Sequence, residues 1–198
     1  METPLGLASG TVRVVPYDPA WPTLYAEEVS RLLPYLDREG VTLVFEHTGS
    51  TSIAGMAAKP ILDILAGRMT DDERQPAIRA LQAAGYVYRG EQDIPGRDFF
   101  RRGEPRQYHV HLAHVHSAFH RDHRAFRDHL RSHAAAAAEY AALKRDLATK
   151  YPFDREAYIQ GKTPFVERIL HGVLGQTKSR PAVLTRNVQE TTGNDAED

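Results

Sequence analysis

The chain has 198 residues, 41% of them hydrophobic, with 25 basic and 26 acidic side chains, ten histidines and no cysteine. That length suits one domain with extensions and a sizeable core, and the missing cysteines exclude disulfides, thiolate nucleophiles, zinc ribbons and iron–sulfur clusters. A formal charge of −1 argues against a nucleic-acid partner, and no apolar stretch approaches the roughly 18 residues that span a bilayer.

With no charged-then-apolar leader at the start, a cytoplasmic protein is expected. Residues 1–10 are small and polar and are expected to fray. Thr11–Val15 alternates as a short strand. Asp18 and Pro19 then suit the cap and first position of a helix over 20–38, where Trp21, Leu24, Val29, Leu32 and Leu36 recur at helical spacing. Val41–Phe45 reads as an apolar strand, Ala54–Ala58 as a short helix-compatible piece, and Ile61–Ala66 as a second strand opened by Pro60. A helix over 71–84 closes at Gly85. Short strands follow at 86–88 and 99–102, the second within a Gly- and Pro-bearing segment, 91–106, that suggests an irregular hairpin or a flap over the site. Gln107–Val115 is the stronger strand. Helices are expected over 118–133, 134–150 and 154–174, with Thr163-Pro164 restarting the last one. From Gly175 to Asp198 periodicity is lost, which suggests a disordered tail. Strands first and helices later argue an α+β fold.

The chemistry-bearing stretch is Glu46 to Leu65. Gly49-Ser50-Thr51 follows a strand directly, and glycine, hydroxyls and amides at such a turn suit phosphate oxygens. Asp63 is the lone carboxylate in an apolar strand and needs a hydrogen bond, a cation or a metal. Lys59 stands just before that strand and can serve a phosphate or Asp63. His109 and His111 share one face of their strand, with Tyr108 and Val110 on the other. Two imidazoles with Asp63 and Glu46 form a candidate transition-metal set, or a proton donor and acceptor pair near neutral pH. The competing reading is a solvated face of a half-covered sheet. Arg124, Arg127 and Arg131 form one helical stripe that suits an anion, helped by Lys144 and Lys162, although such stripes are usually only solvated. His120, His123, His129 and His133 read as solvated surface, and His47 as a third-ranked site histidine because it adjoins the turn.

The string from Glu46 to Ile64 resembles the signature of the GrpB family, as do Tyr17–Pro22, His109-Val110-His111, Phe126–Arg131 and Leu143-Lys144. The resemblance covers residues 11–174. It implies a fold like the nucleotidyltransferase superfamily, a small mixed sheet flanked by helices and followed by C-terminal helices. It also implies a nucleotide or another phosphorylated small molecule as ligand and a divalent metal (magnesium, manganese or zinc) as cofactor. On that pattern Gly49 and Ser50 form the phosphate turn and Asp63 is the first metal carboxylate. Taken with the reading of the residues above, the candidate phosphate contacts are Gly49, Ser50, Thr51, Lys59, Arg127, Lys144 and Lys162, the candidate catalytic residues Asp63, His109 and His111, and the candidate metal ligands Asp63, Glu46 and His111. The second metal carboxylate of the pattern falls on Leu65, and the third falls on the strand of His109 and His111. Three functions follow: a nucleotidyltransferase-like enzyme, a non-catalytic phosphate-ligand module that has lost its metal acids, or a histidine-and-carboxylate metal phosphoesterase.

Overall fold

A computed structural model describes residues 5–175; the tail expected beyond Gly175 lies outside the described residues. The fold is α+β. Strands β1 (Val44–Thr48), β2 (Leu62–Arg68), β3 (Val87–Tyr88), β4 (Arg97–Arg102) and β5 (Tyr108–His114) form one sheet in the order β1-β2-β5-β4-β3. Only β2 and β5 run parallel, and every other pairing is antiparallel. The helices are α1 (Trp21–Arg38), α2 (Arg74–Ala83), α3 (Ala118–Ser132), α4 (Ala134–Lys150) and α5 (Arg155–Leu174).

The period-2 alternation of the central strands divides the sheet chemically. Leu62, Ile64 and Ala66 on β2, with Tyr108, Val110 and Leu112 on β5, join Trp21, Leu32 and Leu36 of α1 and Ile78 and Leu81 of α2 in the main core. Burying each such Leu or Ile contributes about 1.5–3 kcal/mol, so this face anchors the sheet. The opposite face carries Asp63, Leu65, His109 and His111. It is covered by the turn after β1 and by α3, whose Phe119 packs on Leu65 and Ala113. A separate core of Ile53, Met56, Leu130, Tyr140, Phe165 and Leu170 ties α3, α4 and α5 together.

Several expectations need correction. Residues 5–10 are not loose, since Leu7 is buried and exchanges backbone hydrogen bonds with Arg106. The 11–15 segment is not a strand: Val12 bonds Pro152, and only Val15 bridges to Ala58. The first strand lies three residues later than expected, because Val41 and Leu43 turn into the core as the connection from α1. Glu46, His47 and Thr48 are thereby strand residues paired with Leu65, Ile64 and Asp63. Ala54–Ala58 is not helical; the helical element is one 3-10 turn, Ser50–Ser52. The expected flap contains β4, whose Asp98, Phe99 and Phe100 are buried as an interior strand of the sheet. Pro164 does not restart a helix but sits inside the continuous α5. Gly161, one turn earlier, lets Leu147 of α4 approach to where a Cβ would stand 2.4 Å away.

Candidate functional site

The parallel register sets Asp63 beside His109 and Leu65 beside His111. His109 Nδ1 lies 3.1 Å from Asp63 Oδ1 and donates to it, and His111 Nε2 lies 3.6 Å from the same oxygen. Burial alone would raise the Asp63 carboxyl, but the bond from His109 and the contact with His111 outweigh it and hold the acid well below its usual range. Burial pushes the His109 imidazole down to about 4, so it is neutral near pH 7. The other ring nitrogens, His109 Nε2 and His111 Nδ1, are buried and find no hydrogen-bond partner among the described residues. Such atoms are rare in native interiors and mark places where a ligand or water belongs.

The turn after β1 is folded onto this carboxylate. Gly49 takes φ +68° and ψ −173°, a conformation that is essentially glycine's alone. Ser52 Oγ donates to Gly49 O at 2.7 Å, and His47 Nε2 lies 3.0 Å from Thr51 Oγ1, so the turn's hydroxyls partly serve the turn itself. Tyr25 stacks on His47 at 4.7 Å, and burial pushes that imidazole down to about 4.

Below the turn lies a cavity of about 160 Å³ lined by Gly49, Ser50, Thr51, Asp63, His109 and three lysines, Lys59, Lys144 and Lys162, with Tyr140 and Tyr158 as its aromatic walls. Lys144 is fully buried and donates to Ala57 O at 2.6 Å. The Lys59 and Lys162 ammonium groups lie 5.4 and 4.6 Å from the Tyr158 ring centre. Burial, reinforced by neighbouring cations, pushes Lys59 down to about 7 and Lys144 well below its ordinary value. Burial is also the main cause that lowers Lys162 to about 8. Among the described residues, no carboxylate lies within ion-pair reach of these three lysines. A second cavity of about 140 Å³ shares Gly49, Ser50, Tyr140 and Lys162 with the first and is otherwise walled by Ile53, Phe126, Ile159 and Val166 together with Thr48, His123 and Thr163, with Arg127 at its side.

The structure therefore brings together Gly49, Ser50, Thr51, Lys59, Asp63, His109, Lys144 and Lys162, and sets His111 beside Asp63 on the sheet. Arg127 and Glu46 are differently engaged. Glu46 is held by Arg127 Nη1 at 2.7 Å and Arg124 Nε at 3.0 Å, while Arg127 also bonds Asp128 at 2.7 Å and the His47 carbonyl at 3.2 Å. Arg131 donates to Ser52 O at 2.9 Å. The arginine stripe is thus a strap over β1 and its turn rather than a free cationic face. The metal set does not gather either. Leu65 fills the second acid position at 0% exposure, Glu46 is committed to arginines, and no group of three His, Cys, Asp or Glu among the described residues can hold an ion. The donors present do not fit a two-metal centre.

His120 and His123 are not solvated surface. His120 is 2% exposed, packed where Gly67 leaves room for its Nε2, and His123 lines the second cavity with its imidazole pushed by burial to about 3. The missed site residues are His123, Phe126, Tyr140 and Tyr158. One signal was present: Phe119, His123, Phe126 and Leu130 recur at i, i+4, i+7 and i+11, an inward stripe that the surrounding arginines obscured.

A mixed α+β sheet with a glycine turn seated on a strand aspartate, capped by three helices of which α4 and α5 each deliver a lysine, defines one kind of domain. The chain belongs to the GrpB family: the family model described as GrpB protein matches residues 11–172. A UPF0157 protein of Pseudomonas aeruginosa is 38% identical over 84% of this chain and 69% of its own length. The UPF0157 protein YqkA of Bacillus subtilis is 36% identical over 79% and 45%, and the glutamate-rich protein GrpB of Alkalihalophilus pseudofirmus is 33% identical over 84% and 98%. The chain thus spans nearly all of one relative and under half of another. The crystal structure of conserved protein GrpB from Enterococcus faecalis superposes with a TM-score of 0.73 at 33% identity, covering 82% of this chain and 97% of that one. No helix among the described residues is long and apolar enough to cross a membrane.

Proposed function

We propose that the cavity beneath the Gly49–Ser50 turn binds a phosphorylated small molecule, nucleotides included, through Lys59, Lys144 and Lys162. The observation that carries this reading is the set of three lysines lining one cavity beside a single carboxylate already hydrogen-bonded to His109. Burial strips these ammonium groups of hydration, and neighbouring cations add repulsion, which is why their proton affinities fall. A phosphate reverses both costs by supplying charge and acceptor oxygens. The glycine turn permits close approach of the ligand to the backbone.

Binding without nucleotidyl transfer is the reading the donor set favours, because Leu65 and the arginine-held Glu46 leave no carboxylate pair for metals. One observation supports transfer or hydrolysis as a second reading. Asp63 orients His109 through Nδ1 and leaves Nε2 unpartnered on a residue that lines the cavity, the arrangement of a proton carrier. Thermal denaturation with phosphate, pyrophosphate and a nucleotide panel tests binding. At about one hundred times Kd the ligand adds ~2.7 kcal/mol, a rise of roughly 5–10 °C for a chain of this size. If no anion raises the Tm, or if the rise persists unchanged in Lys162→Met, the reading fails.

A further inference from the structure

Resting on that reading, we infer that the ligand is a phosphomonoester of a single-ring, largely apolar compound, its phosphate among the lysines and its ring in the adjoining cavity beneath Phe126 and Tyr140. The first argument is charge. The three lysines contribute three positive charges when a bound anion keeps them protonated. Asp63 removes one, and the histidines lining the site are neutral near pH 7. Two positive charges remain in the lining, which one phosphomonoester dianion balances. Arg106 and Arg155 add positive potential from outside the lining without changing its count. A triphosphate carries about twice that negative charge and needs a metal to offset the surplus, whereas the positions that would hold one are Leu65 and an arginine-bound Glu46.

The second argument is shape. The adjoining cavity shares Gly49, Ser50, Tyr140 and Lys162 with the lysine cavity, so the two lie against each other, and the inferred ligand spans both. Its volume of about 140 Å³ is close to the ~150 Å³ apolar cavity that accommodates benzene, which is room for one ring and not for a purine with its ribose. Its walls are already set. Phe126 meets Tyr140 edge-on at 5.3 Å, and Tyr140 stacks on Phe165 at 4.9 Å. Arg127 at its side is neutralised by Glu46 and Asp128, so the ring needs no charge of its own.

Phenyl phosphate is the probe. Titrated calorimetrically into the full chain at pH 6.5 without metal, it is expected to bind at least about tenfold tighter than inorganic phosphate, from burial of the ring. ATP is expected to bind more weakly than phenyl phosphate. Phe126→Ala should bring phenyl phosphate down to the affinity of inorganic phosphate while leaving inorganic phosphate unchanged. Val166→Phe, which fills the same cavity from α5, should do the same and serves where the first variant does not fold. A phosphotyrosine peptide carries the same aryl phosphate on a chain and should not bind; binding equal to that of phenyl phosphate would overturn the small-molecule assignment. Phenyl phosphate no tighter than inorganic phosphate, or ATP tighter than either, overturns the inference while phosphate binding stands. Silence of inorganic phosphate as well removes the reading beneath it.

Discussion

A Cβ built on Gly49 would stand 2.5 Å from Asp63 Oδ2, so the turn backbone is packed directly against the only carboxylate on the polar face of β2. The two residues are fourteen positions apart, yet each restricts the other: the glycine must stay bare, and the carboxylate must keep the orientation in which His109 donates to Oδ1. Gly49→Ala adds a methyl at an occupied place and at a positive φ. Strain of about 1–3 kcal/mol is expected, together with displacement of Asp63. A fall in Tm of a few degrees combined with loss of phosphate response checks both, and an unchanged phosphate response would separate the turn from the site.

Lys162 makes no hydrogen bond or ion pair among the described residues, and its ammonium group rests over Tyr158. Replacing it with Met keeps the packing stem and removes a charge that burial disfavours. Lys162→Met is therefore expected to melt no lower than the parent while losing at least about tenfold in phosphate affinity, the worth of one charge-assisted hydrogen bond. A clear loss of stability with intact affinity would make Lys162 structural. The depressed lysines also set a pH dependence. Binding re-protonates Lys59, held at about 7 when free, so affinity should fall as the pH rises above that value. It should also fall below about 6, where a phosphomonoester takes up its second proton. Calorimetry in buffers of differing ionisation enthalpy at pH 7.5 should register proton uptake.

His109 gives stability the opposite sensitivity. Its folded value of about 4 lies below the ordinary 6.5, so between these pH values the unfolded chain binds more protons. The stabilisation is complete above 6.5 and is lost as the pH falls through 4, by up to about 3 kcal/mol. His47 and His123 are shifted in the same direction, for the same cause. Urea titrations between pH 6.5 and 4.5 should show a steep decline that is shallower in His109→Gln. Equal slopes would place the acid sensitivity elsewhere.

Arg127 holds the turn from outside, through Glu46 and the His47 carbonyl. Removing one partner of a buried pair commonly costs about 3–5 kcal/mol, and Glu46 retains Arg124, so Arg127→Ala is expected to lose nearer ~2 kcal/mol. Inorganic phosphate affinity should change less than in Lys162→Met. The reverse order would return Arg127 to the phosphate-binding set. Magnesium, manganese or zinc alone should leave the Tm unchanged, because Leu65 is packed against Ile94, Ala113 and Phe119. A saturable, stoichiometric stabilisation by any of the three contradicts this.

The helices were legible because their apolar residues recur at 3.6 spacing, β2 because its apolar run survives without context, and β5 because Tyr108, Val110 and Leu112 alternate with His109 and His111. The shift of β1 was not legible: Val41-Thr42-Leu43 is as apolar as a strand, and only the docking of α1 sends it into the core. The turn, Asp63 and His109 were readable from residue type and spacing. That Arg127 and Glu46 would pair across α3 and β1 was not, since they are 81 residues apart and the pairing depends on how α3 crosses the sheet. Tyr140 amid alanines, and Tyr158, gave no local sign that they would wall a cavity, because that role exists only once α4 and α5 pack.

The most direct measurement is the anomalous difference map of crystals grown with arsenate, a phosphate analogue, at a concentration that saturates the thermal shift. A peak in the cavity within hydrogen-bonding reach of Lys59 and Lys162 and under the Gly49–Ser50 turn is the predicted result. A cavity without that peak, with arsenate bound only at surface arginines, would contradict the account.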